Sequence, residues 1–228
     1  MIRLQVLSAG AAQGVVSALA KQAGYEISGS FGAVGAMREK LLAGEPADLI
    51  ILTQALIAGL AAGGQVLPDS RADLGTVRTG VAVRAGDPAP DITSPDGLRA
   101  ALLAAGAIYF PDPEKATAGI HFVQVLEALG IRQQVAQRLR AYPNGATAMR
   151  ELAGSRAAGP IGCTQITEIL NTAGVTLAGP LPTKFELATV YSAAVCARAS
   201  DAAAARRFIA LLTSDTTREL RRRAGFEF

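Results

Sequence analysis

The stretch Leu42-Ala43-Gly44-Glu45-Pro46-Ala47-Asp48-Leu49-Ile50-Ile51-Leu52 passes from one periodicity to another. Before it, Val34, Met37, Leu41 and Leu42 recur at helical spacing, which predicts an amphipathic helix over residues 34–43. Gly44 suits a left-handed helix cap, and Pro46 cannot continue the helix. Leu49–Leu52 then runs apolar without alternation, the pattern of a strand covered by helices on both faces. Helix, glycine stop and buried strand form the repeating unit of an α/β protein.

The same alternation extends in both directions. Upstream, a strand is predicted over Ile2–Leu7, a helix over Ala11–Gln22 and a strand over Tyr25–Gly29. Downstream come a short helix after Thr53-Gln54, a strand at Val77–Val83 and a break at Gly86–Asp91. A second set follows: helix Pro95–Ala105, strand Ala107–Phe110, helix Ala118–Leu129, helix Ala146–Ala153, strand Ile161–Cys163 and a helical turn over Thr164–Leu170. Glu186–Cys196 reads as a strand, and Asp201–Arg223 as one final helix with Asp201 as its amino cap.

Composition sets the outer limits. The 228 residues are 50% hydrophobic and 18% charged, too apolar for a disordered chain and enough for one large domain or two small lobes. A net charge of +3 is too weak a field for nucleic-acid binding. The basic run Arg218, Arg221, Arg222 and Arg223 reads as a solvated helix face. Two cysteines and one histidine cannot build a Cys/His zinc site, so no metal and no cofactor is expected, and Cys163 and Cys196 read as free thiols. Residues 49–68 carry no charge, but the β-branched start, the Thr53-Gln54 break and Gly59, Gly63 and Gly64 exclude a membrane span. No targeting segment opens the sequence, which implies a cytoplasmic protein if Met1 is the native start and a periplasmic one if a leader has been removed.

Four units share a turn of small residues before a helix: Ser8-Ala9-Gly10-Ala11, Phe31-Gly32-Ala33-Val34, Lys115-Ala116-Thr117-Ala118-Gly119 and Tyr142-Pro143-Asn144-Gly145-Ala146. Small residues let a ligand approach the unpaired N–H groups of a helix start, where the dipole favours anions. Each end contributes about 0.3–2 kcal/mol, whereas micromolar affinity needs about 8 kcal/mol. Side-chain donors must therefore add to it, and Ser8, Gln13, Thr53, Arg78, Thr117, Asn144, Thr164 and Gln165 are the candidates.

Ser30-Phe31, Leu42–Ile51, Asp112-Pro113 with Thr117-Ala118-Gly119-Ile120, and Arg222-Arg223-Ala224-Gly225-Phe226 occur in an order that resembles the molybdate-binding periplasmic proteins of ABC importers. The resemblance implies a periplasmic-binding-protein fold of the second type, with residues 1–80 and 186–228 in one α/β lobe, 81–185 in the other, a ligand cleft between them, hinges near Gly80 and Lys184–Glu186, and an ABC permease as partner. It also implies ligand contacts at Ala11, Ala33, Val34, Ala118, Asn144 or Gly145, and Cys163, to which the small-residue turns and side-chain donors add Ser8, Gly10, Gly32, Thr53, Arg78, Thr117 and Thr164 as expected ligand-binding residues. Where the family carries serine hydroxyls and a tyrosine, this chain has Ala11, Ala33 to Gly35 and Cys163. Each missing hydroxyl should cost a tetrahedral oxyanion about 1–3 kcal/mol, and the smaller side chains make room for a longer anion such as an organic carboxylate. The function expected is capture of a small anionic ligand. The alternative is a cytoplasmic carboxylate isomerase on the same fold, resembling the aconitate isomerases, for which His121 and Cys163 are the candidate catalytic residues and Glu168 and Lys184 further possible bases.

Overall fold

A computed structural model describes residues 2–228. In chain order, β1 (Ile2–Ala9) passes through a 3-10 turn (Gly10–Ala12) into α1 (Gln13–Ala23), followed by β2 (Tyr25–Gly32), α2 (Val34–Leu42), β3 (Leu49–Thr53) and α3 (Gln54–Ala62). Next are β4 (Ala72–Arg84), α4 (Pro95–Ala104), β5 (Ile108–Pro111), α5 (Thr117–Ala128), α6 (Arg132–Val135), β6 (Leu139–Tyr142) and α7 (Gly145–Ala153). The chain ends with β7 (Ile161–Gln165), α8 (Ile166–Leu170), β8 (Val175–Pro180), β9 (Ala188–Val195), α9 (Ala202–Thr213) and α10 (Arg218–Arg223). It divides into two compact units: residues up to Val77 with Thr189–Phe228, and Arg78–Ala188. The sequence-based division falls at 80/81 and 185/186. No helix among the described residues is long and apolar enough to cross a membrane.

In the first unit β1 pairs in parallel with β2 and β3, and β9 runs antiparallel to β3. Strand β3 is apolar on both faces because helices cover both, and Leu4, Val6, Ile50 and Ile51 pack with Val15, Val16, Leu19 and Phe208 in one core. Asp48, in the turn before β3, is the polar anchor of this unit. Its buried carboxylate accepts hydrogen bonds from the N–H groups of Gln5, Ser200 and Asp201 and from Ser200 Oγ, tying β1 and β3 to the start of α9. The Pro-Ala-Asp-Leu turn that opened the sequence reading is thus a structural latch.

In the second unit β5 pairs in parallel with β6 and β7, while β7 and β8 flank β4 in antiparallel fashion. One face of this sheet meets α4 and α5 through Val81, Cys163, Phe110, Leu98 and Phe122. The other face meets α7 through Ala82, Ala148, Met149 and Leu152.

Three expectations are corrected. The final helix is two helices, α9 and α10, separated by a 3-10 turn at Asp215–Thr217. The carbonyls at the end of α9 are taken by Thr217 Oγ1, which donates to Leu211 and Leu212, and by the Arg221 guanidinium, which donates to Thr213 and Ser214. Arg221 is therefore no part of a solvated face: it is 3% exposed and also donates to the Leu74 carbonyl. Thr164 and Gln165 extend β7 instead of opening a helix, and β6 and β8 have no counterpart in the sequence reading because both are short and only partly buried.

Candidate functional site

Parallel pairing fixes where ligands can be met, because the carboxyl ends of parallel strands lie on one edge with the following helix starts. In the first unit Ser8 stands level with Phe31 of β2 and Ile51 of β3, so Gly10, Ala33 and Thr53 follow on one edge. In the second unit Pro111 pairs Tyr142 and Tyr109 pairs Gly162, which brings the exits of β5, β6 and β7 to a common edge with the starts of α5, α7 and α8.

The helix starts differ in who caps them. Helices α4 and α9 carry their own acceptors: Ser94 accepts from the N–H of Gly97, and Asp201 accepts from that of Ala204, as expected for Asp201. At the strand edges, Ala9 precedes the 3-10 turn into α1, Ala33 precedes α2 and Ala116 precedes α5, none with a side-chain cap. Those starts are buried, with Ala11 at 5%, Val34 at 8% and Ala118 at 2% exposure. Alanine in place of serine or aspartate removes the internal acceptor and leaves first-turn N–H groups for an outside one.

Two further starts at these edges are occupied from within, and that of the short α8, entered from Gln165, has no side-chain cap. Thr53 Oγ1 accepts from the N–H of Leu56 and caps α3 at 3.4 Å. Asn144 Oδ1 accepts from the N–H of Thr147 at 2.8 Å and caps α7. More tellingly, the buried Glu168 carboxylate lies against the amino end of α7. Burial pushes this carboxyl above its ordinary value, against the opposing pull of hydrogen bonds from Thr164 Oγ1 and the N–H groups of Ala146, Gln165 and Gly145. Thr164 Oγ1 donates at 2.6 Å. Residue 145 must be glycine for this approach, because a Cβ there would land on the carboxylate and on Thr164 Oγ1. The anion at the α7 start is the protein's own.

Several side chains singled out from the sequence are engaged in the same way. Ser8 Oγ is fully buried and donates to the Ala9 carbonyl at 3.0 Å. Arg78 forms an ion pair with Glu186 at 3.0 Å. His121 Nε2–H donates to the Phe185 carbonyl at 2.8 Å, which leaves Nδ1 as the basic atom of the neutral ring. Cys163 is fully buried in the α5-side core, where desolvation pushes its thiol far above the ordinary range; it packs, and no base touches it. Cys196 is likewise a free, buried thiol, pushed up to about 12 by burial and the neighbouring Asp48. Gly32 ends β2 and Thr117 opens α5, adjoining the alanine-capped starts. What remains to receive an anion is main-chain N–H at Gly10–Ala12, at Val34 and Gly35, and at Thr117–Gly119.

Several buried side chains keep a polar atom without a hydrogen-bond partner, Thr167 and Thr189 among them, and two of these side chains are register partners across β4 and β7. Gln165, 3% exposed, has no hydrogen-bond partner at either Nε2 or Oε1, and Thr79, 1% exposed, has none at Oγ1. Gln165 was legible as a donor at a strand exit. Thr79 was hidden inside an apolar run, where only the Thr-Gly step at 79–80 marked it.

Comparison with known proteins places this geometry. The family described as bacterial extracellular solute-binding protein matches residues 4–227. The aconitate isomerase of a Pseudomonas species is 30% identical over 186 residues, which cover 78% of this chain and 66% of that protein, just under two thirds of its length. The periplasmic molybdate-binding protein of Azotobacter vinelandii superposes with a TM-score of 0.80 at 21% identity, covering 99% of both chains. The sulfate-binding protein SubI of Mycobacterium tuberculosis superposes with a TM-score of 0.74 at 18% identity, over 99% of this chain and 86% of its own.

Proposed function

Because this chain belongs to the bacterial extracellular solute-binding proteins, we propose that it captures a small organic carboxylate and delivers it to a membrane permease of the ABC importer type. The observation that carries this reading is the buried, uncapped starts at the strand edges: the 3-10 turn into α1, α2 and α5 follow Ala9, Ala33 and Ala116 with no capping side chain, whereas, of the starts elsewhere, those of α4 and α9 carry Ser94 and Asp201. Main-chain donors suit a carboxylate, which accepts in the plane of its two oxygens. They suit molybdate less well, since a compact tetrahedral anion gains from hydroxyls around it, and Ser8, Thr53 and Thr164 already hold internal partners.

A melting panel of molybdate, tungstate, sulfate, phosphate, dicarboxylates and tricarboxylates tests it. A ligand at a hundred times its Kd adds about 2.7 kcal/mol, or about 5–11 °C for a chain of this size. Stabilisation by a carboxylate and none by molybdate is expected; the reverse order refutes the assignment.

The relationship to aconitate isomerase favours a second reading, an isomerase that removes a proton from carbon beside a carboxylate. Of the candidate bases, His121 keeps Nδ1 as an acceptor while Nε2–H is held by Phe185, whereas Glu168 already accepts several hydrogen bonds and Cys163 is core. Incubation with cis- or trans-aconitate in deuterated water gives isomerisation and deuterium uptake under this reading, and neither under simple capture.

A further inference from the structure

Thr79 and Gln165 are direct register partners across β4 and β7. Side chains alternate along a strand, and on β7 the residues Ile161 and Cys163 face the α5-side core while a Cβ at Gly162 would meet Met149 and Leu152 of α7. Gln165 therefore shares the α5 face, and Thr79 shares it with Val81, which lies in the same core. Thr164 faces the other way, onto Glu168.

Height along the sheet follows from the pairing. Tyr109 pairs Gly162 in parallel, so continuing the register sets Gln165 level with Asp112, where the chain leaves β5. The first turn of α5 lies at that height, because a Cβ on Gly119 would strike the carbonyls of Pro111 and Asp112. Two independent features thus coincide within one unit: an alanine-capped, buried helix start, and beneath it a buried amide and hydroxyl with three unpartnered polar atoms. Buried polar atoms of this kind are rarely left alone in native proteins.

From this juxtaposition we propose that Gln165 and Thr79 form a subsite, under the amino end of α5, that binds a hydroxyl-bearing carboxylic acid. The inference rests on the carboxylate reading above and sharpens it. The α5 N–H groups and Gln165 Nε2 donate and so require an acceptor, which a carboxylate supplies. Gln165 Oε1 accepts and so requires a donor, which a fully ionised oxyanion or a plain carboxylate lacks and an alcohol provides. Thr79 Oγ1 completes the set in either sense. A site that holds a hydroxyl with buried partners discriminates sharply against the analogue without it.

The test is calorimetric titration of the intact protein with citrate and L-malate, and with their deoxy counterparts tricarballylate and succinate. The wild type should prefer the hydroxylated member of at least one pair by about tenfold or more. Gln165→Leu should weaken that member about ten- to hundredfold and its deoxy counterpart, which loses only the Nε2 contact and keeps those of α5, by about tenfold less. Thr79→Val should move the same way by less. Without ligand, Gln165→Leu should melt at or above the wild-type temperature, because it removes a buried amide that has no internal partner. A hydroxyl preference that survives Gln165→Leu, an equal loss for both acids, or a lowered ligand-free melting temperature overturns the subsite alone. A wild type that binds no carboxylate overturns both this inference and the carboxylate reading.

Discussion

Glu168→Ala isolates the proposition that one helix start in the second unit is already filled by the protein's own anion. The substitution leaves Thr164 Oγ1 and the N–H groups of Gly145, Ala146 and Gln165 without their shared acceptor. An orphaned buried donor costs about 1–3 kcal/mol, so four of them set an upper limit of about 12. Two effects reduce this: the unfavourable burial of a carboxylate disappears, and water enters the space it leaves. A net loss of about 3 kcal/mol is expected, the lower end for breaking a buried charged network, seen as a fall of about 6–12 °C in melting temperature. The informative step is rescue. Formate at tens of millimolar should restore much of the loss in Glu168→Ala and nothing in the wild type, because only the variant presents an empty, anion-receptive α7 start. A fall of less than about 1 kcal/mol, or the absence of a formate response, would show that Glu168 does not occupy that helix end.

Further predictions concern the frame around the site. Glu168→Gln should change the pH profile: burial raises the folded carboxyl above its ordinary value of 4.5, so its contribution is full at low pH and is lost as pH rises through the folded value, and wild-type stability should fall relative to the variant across that window in urea titrations. Asp48 has the opposite sign, since burial is outweighed by hydrogen bonds from Gln5, Ser200 and Asp201 and the folded carboxyl lies below 3.8. The advantage of wild type over Asp48→Asn, about 2–3 kcal/mol near neutrality, should therefore shrink as pH falls below about 4. Arg221→Met should cost about 2–4 kcal/mol in denaturant unfolding by releasing the carbonyls of Leu74, Thr213 and Ser214, whereas Arg222→Ala and Arg223→Ala should stay within about 0.5 kcal/mol. Cys163 and Cys196 should resist alkylation in the folded protein and react at once in denaturant, as quantitative thiol labelling would report.

The fold was legible wherever one pattern ruled a segment. The glycine stop at Gly44, the proline at position 46 and the apolar run at residues 49–52 were sufficient to set α2 and β3, and Asp201 announced α9. Short, half-exposed β6 and β8 carry no such pattern, and the break between α9 and α10 depends on Thr217 and Arg221 reaching back to carbonyls, which no local periodicity encodes. At the candidate site the small-residue turns were legible, whereas the partners of the side chains were not. Small residues before helices correctly marked the strand edges, but whether a hydroxyl there faces a ligand or a neighbour is decided by tertiary contact: Ser8 turns to the Ala9 carbonyl and Thr164 to Glu168. Glu168 stood out from the sequence as a possible base, yet only the folded chain brings it to α7 as a cap. Thr79 could not be recognised before β4 and β7 were paired.

Amide chemical shifts measured during titration of isotopically labelled protein with citrate bear on the central claim most directly. Within the first unit the main-chain N–H groups of Gly10–Ala12, Val34 and Gly35 should shift, and within the second those of Thr117–Gly119, while Gly145 and Ala146, already bonded to Glu168, should stay nearly fixed. Shifts gathered at Gly145 and Ala146, with the alanine-capped starts unmoved, would contradict the account.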